Sequence, residues 1–176
     1  MKSRGNATDF PHYKQNHPHT CGPACLCMIA DWITREPQSE IVWARTSHTK
    51  RPVKFQKHAT ELKGIAQALD EMTNIDEYEI TSGKVVNKSG LRFNSNTIYL
   101  ALLDSYNLDG KNEGHFILLI GRLPLGKKLD QIIIADPSED ELYVEPWKAI
   151  QAKLQTGTEG SKEPKNIIRI SKKPSK

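Results

Sequence analysis

No run of the 176-residue chain comes near the roughly 18–20 consecutive apolar residues that a membrane-spanning helix needs. The longest apolar runs, Phe116–Ile120 and Ile132–Ala135, have the length of buried strands. The first residues, MKSRGNATDF, carry charge but no apolar h-region, so they do not read as a secretory signal peptide. The expected location is the cytoplasm, or export without a conventional signal. Cysteine is scarce and crowded: Cys21, Cys25 and Cys27 are the whole set. An odd number at such close spacing does not make a disulfide framework, and a bridge between Cys21 and Cys25 would strain a regular helix. Free thiols are the better reading.

Other absences narrow the partners. His17, His19, Cys21 and Cys25 make one loose cluster, with no second CxxC or HxxxH pair, so neither a metal nor any other cofactor is expected. The lysines near the end (Lys162, Lys165, Lys172, Lys173, Lys176) have no aromatic residues among them, which speaks against a nucleic-acid face. A net charge of +4 is modest, and no repeat of solenoid period is visible. With 37% hydrophobic and 26% charged residues, the chain has enough apolar matter for one domain with its own core.

Along the chain, an irregular lead-in over 1–14 is expected to precede one domain over 15–170, followed by a flexible basic tail over 171–176. A helix begins near Cys21, with Thr20 as N-cap and Pro23 in the first turn, where its missing N–H is not needed. Ala24, Cys27, Met28 and Trp32 recur at helical spacing and predict one buried face. Pro37 ends this helix, and Ser39 is placed to cap a short one over Glu40–Arg45. The basic stretch Thr46–Lys57 reads as an exposed loop. Leu62, Ile65, Ala66 and Leu69 mark a further helix. Strands are expected near Tyr78–Ile80, Thr97–Leu103, Tyr143–Val144 and Ile167–Ile170, with a short helix over Trp147–Leu154. Between them, the apolar runs after His115 and before Asp136 flank a short Gly-containing loop and predict an antiparallel hairpin. Helices first and strands later indicate an α+β domain. Trp32, Trp43 and Trp147 read as packing, and His12, His48 and His58 as solvated.

The hairpin brings two chemically useful side chains within reach. A turn centred on Leu125 and Gly126 puts His115 directly opposite Asp136, on one face, with Cβ atoms about 4.5–5.5 Å apart. A slip of one residue would send them to opposite faces. Cys21 stands in the first turn of its helix, where unpaired N–H groups and the helix dipole favour a thiolate. Cys25 and Cys27 lie deeper. These residues suggest Cys21 as nucleophile, His115 as base and Asp136 as the group that orients the base. The Cys21 N–H and the side-chain amide of Gln15, six residues upstream, are candidate donors to an oxyanion.

Gln15 with Thr20-Cys21-Gly22-Pro23-Ala24-Cys25-Leu26 resembles the glutamine-to-cysteine segment of papain-like cysteine peptidases, most closely the domains that cleave double-glycine leaders from bacteriocin precursors. Gly114-His115-Phe116 and Ala135-Asp136-Pro137 resemble that family's histidine and aspartate segments. The resemblance spans Gln15 to Pro137, about two thirds of the chain, and is specific at these three short segments. It implies a papain-like α+β fold: an N-terminal helical part, with the nucleophile at the start of the central helix, packed on an antiparallel sheet. It also implies a Cys21–His115–Asp136 triad with Gln15 completing the oxyanion hole, and a peptide or protein substrate. Similar stand-alone domains occur as bacterial effectors and toxins, some of them glutamine deamidases, for which an inhibitor or immunity partner is expected. Three readings follow: a peptidase, a deamidase or transamidase, and a binding module that keeps the fold without the activity.

Overall fold

The computed structural model describes residues 9–37, 39–49, 60–72, 74–83, 91–104, 114–125, 129–154 and 167–174. Most of the basic loop expected over Thr46–Lys57, and His58 with it, lies outside the described residues.

Helix α1 (Cys21–Thr34) starts where the sequence predicts. Its expected cap is not made: the Thr20 hydroxyl donates to the His17 carbonyl and accepts from the His17 N–H instead. Its burial also exceeds one face, because every residue from Cys21 to Ala30 is buried. Small side chains (Gly22, Ala24, Cys25, Cys27, Ala30) let neighbours close on the helix from several sides. Helices α2 (Glu40–Thr46) and α3 (Leu62–Asp70) pack against it. Ser39 precedes α2 without a side-chain cap bond, and its carbonyl accepts from Val42 N at 3.0 Å. Gly64 of α3 is obligatory at its contact with α2, since a Cβ there would meet the Ser47 carbonyl oxygen at 2.1 Å.

The strands are β1 (Tyr78–Gly83), β2 (Thr97–Leu103), β3 (His115–Leu125), β4 (Leu129–Ala135), β5 (Tyr143–Pro146) and β6 (Ile167–Lys172), with α4 (Trp147–Lys153) between the last two. They form an antiparallel sheet in the order β1-β6-β2-β3-β4-β5. The described residues thus make an α+β fold of four helices and six strands.

Both faces of the sheet are covered, which is why its central strands read as unbroken apolar runs. Ile98, Leu100, Phe116, Leu118 and Ala135 face the core shared with α1, α2 and α3. Their neighbours Tyr99, Ala101, Ile117, Leu119 and Ile134 face a second core closed by Trp147, Ile150 and Leu154. The final strand runs past the expected boundary at 170: Lys172 pairs with Tyr78, and the Ser171 hydroxyl bonds that of Thr97 at 2.9 Å. Ser171 is buried, so the first two residues assigned to the tail belong to the sheet.

Candidate active site

The site forms at the end of the sheet where β3 begins and β4 finishes, against the first turn of α1. His115 is the first residue of β3, and the preceding Gly114 has φ 66°, a left-handed conformation that a side chain would oppose. Asp136 follows the last residue of β4.

The two meet, but not in the predicted register. Near the turn Leu125 pairs with Leu129 and Arg122 with Ile132, three residues away from the register that sets His115 opposite Asp136. Carried unchanged along the hairpin, that pairing would put the two side chains on opposite faces. A bulge between Leu119 and Gly121 absorbs one residue, after which Leu118 pairs with Ala135. Continued outward, the ladder sets Ser138 opposite His115 and leaves Asp136 as the diagonal neighbour on the same face. The side chains agree: His115 Nε2 donates to Asp136 Oδ1 at 2.7 Å and lies 3.3 Å from Ser138 Oγ.

The carboxylate is held from several directions. Oδ1 also accepts from the Ser138 N–H at 2.8 Å, and Oδ2 accepts from the Tyr143 hydroxyl at 3.2 Å. Burial alone would raise the Asp136 pKa, yet these donors and the charge of His115 outweigh it and hold the acid below its usual range. With Nε2 committed to the carboxylate, Nδ1 is the ring nitrogen left for Cys21, whose thiol is within hydrogen-bonding reach of the imidazole. Burial disfavours the imidazolium, but the hydrogen bonds and negative charge of Asp136 and Cys21 prevail and raise His115 to about 10.

The three cysteines are sharply distinguished. Cys25 is fully buried, its thiol donating to the Phe116 carbonyl at 3.5 Å, and burial first, then the neighbouring acids, pushes it well up. Burial and Glu40 push Cys27 up to about 12. Among the described residues, Cys21 alone of the three has an imidazole within hydrogen-bonding reach. It keeps 7% of its surface, while the His115 side chain keeps 20%.

Gln15 lies next to the acid loop, its N–H donating to the Pro137 carbonyl at 2.8 Å. Its amide nitrogen donates one proton to the His17 carbonyl at 3.0 Å, which leaves a second, and its Oε1 is buried without a partner among the described residues. At the helix mouth Pro23 has no N–H and the Thr20 side chain makes no cap bond, so among the described residues no side chain is seen to cap the first turn that carries Cys21.

His12, expected to be solvated, is half-buried, and its Nε2 donates to the Asp136 carbonyl at 2.9 Å. Tyr143 and Ser138 are the other contributors that the sequence reading passed over; strand alternation in β5 was the only trace of Tyr143. His48 is exposed with φ 52°, and His17 is exposed. No cluster of metal-ligating side chains occurs among the described residues. A cleft of about 730 Å³ lies elsewhere, at the far end of α1, and none of the four candidate residues lines it.

The class of site is therefore a thiol, an imidazole and a carboxylate in series. Set beside known proteins, the chain matches no family model and no curated protein.

Proposed function

We propose that the chain is a cysteine-dependent amide hydrolase of the papain-like kind. One observation carries the reading: a single imidazole bonds the Asp136 carboxylate at 2.7 Å and lies within hydrogen-bonding reach of the Cys21 thiol. The papain-like form of the α+β fold belongs to the same proposal, supported by a nucleophile at the start of a buried helix packed on an antiparallel sheet.

In this mechanism His115 holds the Cys21 proton, and the thiolate attacks the carbonyl carbon of an amide. The new C–S bond pushes an electron pair onto oxygen, where the Cys21 N–H and the free amide proton of Gln15 receive it. As the intermediate collapses, the C–N bond breaks and His115 protonates the departing amine. His115 then takes a proton from water, hydroxide adds to the thioester, and the thiol leaves with that proton. Asp136 keeps the proton of Nε2 fixed, so that Nδ1 stays turned to sulfur. A peptide bond or a glutamine side-chain amide satisfies the same steps; fragments in an intact-mass spectrum mark the first, a change near one dalton the second.

The cleft at the other end of α1 favours a different reading, a binding module on this fold. Iodoacetamide at pH 6 separates the two. A hydrolase should alkylate at Cys21 at least about tenfold faster than at Cys25 or Cys27, and His115→Ala should remove that advantage. Slow, equal modification of all three thiols would leave the binding module.

A further inference from the structure

Within the proposed machinery, the backbone from Asp136 lies past the end of the β3–β4 ladder and is held by a turn, in which the Glu139 N–H donates to the Asp136 carbonyl at 3.1 Å. Pairing of β3 with β4 stops at Leu118 and Ala135, so the segment from Asp136 onward leaves the sheet immediately where its carboxylate must be aimed. Residues 12–15 cross this segment and fasten it. His12 Nε2 donates to the Asp136 carbonyl at 2.9 Å, and Gln15 N to the Pro137 carbonyl at 2.8 Å. Lys14 Nζ reaches Asp140 Oδ1 at 2.8 Å, and the Tyr13 hydroxyl donates to Asp31 of α1. One short segment thereby ties the acid loop to the nucleophile's own helix.

We infer that His12 is a positioning residue, holding the Asp136 main chain so that the carboxylate meets His115 Nε2. The exposed Lys14–Asp140 pair contributes little, since both partners are solvated. The Gln15 bond falls one residue beyond Asp136. His12 is the one contact that residues 12–15 make on Asp136 itself. It shares that carbonyl with the Glu139 N–H at 3.1 Å, but among the described residues it alone reaches the carbonyl from another part of the fold, and it is half-buried, where a hydrogen bond counts for more. A carbonyl only accepts, so the Nε2 proton is required, and both the neutral Nε2–H form and the imidazolium supply it. The role rests on the triad reading but can be measured without turnover.

The test uses the full chain with His12→Phe, which keeps a ring and loses the donor, and His12→Gln, which keeps an N–H near the place of Nε2. NMR titration of the His115 ring is read in both. In His12→Phe the midpoint should fall from about 10 toward 6.5, and alkylation of Cys21 at pH 6 should slow roughly fivefold to tenfold. His12→Gln should restore most of both. A folded His12→Phe that titrates as wild type overturns the inference, as does a folded His12→Gln that behaves like His12→Phe, because packing would then be the role. Should His12→Phe not fold, the glutamine variant decides alone: wild-type values support the donor, a lowered midpoint overturns it. Failure of the triad reading looks different, namely a wild-type Cys21 without selective reactivity while the His115 midpoint still follows His12.

Discussion

At its first turn α1 is packed so closely that a methyl group on Gly22 would lie 2.9 Å from the Cβ of Thr60, whereas at its last turn Trp32 and Ile33 line a cleft of about 730 Å³. The close-packed end holds the thiol, the imidazole and the carboxylate. The open end holds rings: Phe10, Trp32 and Tyr78 stand in a row with centroids 6.4 and 5.4 Å apart. The proposed chemistry and the open volume are thus separated by the length of the helix. Acyl transfer needs fixed groups shielded from water, which close packing supplies, while a ligand site needs volume and apolar area. The contrast predicts that the two ends answer differently to substitution.

The largest response should come from Asp136→Asn, which removes the charge while keeping the shape. His115 would then be half-shielded without its carboxylate, and losing one partner of such a pair costs on the order of 3 kcal/mol. The sign with pH follows from the two shifts. His115 is raised to about 10 in the folded state, so its contribution is complete below about 6.5 and fades as pH climbs through 10. Asp136 is lowered, so its contribution is complete above about 4 and fades as pH falls through its folded value. The stability gap between wild type and variant should peak near pH 5–6 and narrow on both sides. Urea unfolding across pH 3–10 measures it, and a gap independent of pH would break the link between the pair and the packed end.

A middling effect of opposite sign is expected at the two ends of α1. Gly22→Ala must displace Thr60 or Ile65, at a cost of about 1–3 kcal/mol, and should disturb Cys21 labelling as well. Arg35 closes the other end with φ 62°, a conformation suited to glycine, so Arg35→Gly should stabilise by about 0.5–1 kcal/mol and leave labelling unchanged. Thermal melts and alkylation rates of the two variants sharpen the contrast. Equal labelling in Gly22→Ala and Arg35→Gly would mean that the tight mouth does not govern the thiol.

Much of this geometry was readable from residues because it depends on local pattern. Pro23 in a first turn and the apolar spacing of Ala24, Cys27 and Met28 place α1; the runs after His115 and before Asp136 place β3 and β4. The register was not readable. Leu119, Ile120 and the isoleucines opposite look alike to hydrophobic patterning, so a bulge among them leaves no mark on the sequence. The predicted pairing reached the correct face only because its error was an even number of residues beyond the bulge. The cap at Thr20 failed for a related reason: a threonine hydroxyl serves a helix end or a turn at His17 equally well. His12 and Tyr143 stayed hidden because their partners are set by tertiary packing, in the first case 124 residues away.

Tyr143→Phe should give the smallest effect and tests how the packed end shares its load. The phenol touches only Oδ2, at 3.2 Å, while Oδ1 keeps His115 and the Ser138 N–H. One donor in three is lost and the ring stays, so stability near pH 6 should drop by about 0.5–1 kcal/mol. Because the bond favours the ionised acid, the loss belongs to pH values above about 4 and should shrink as pH falls through the lowered folded value of Asp136. His115 should titrate close to its wild-type midpoint, since the atom it binds is unchanged. A drop as large as that of Asp136→Asn would mean that Tyr143, and not the Oδ1 side, aims the carboxylate, and the division of labour between its two oxygens would have to be reversed.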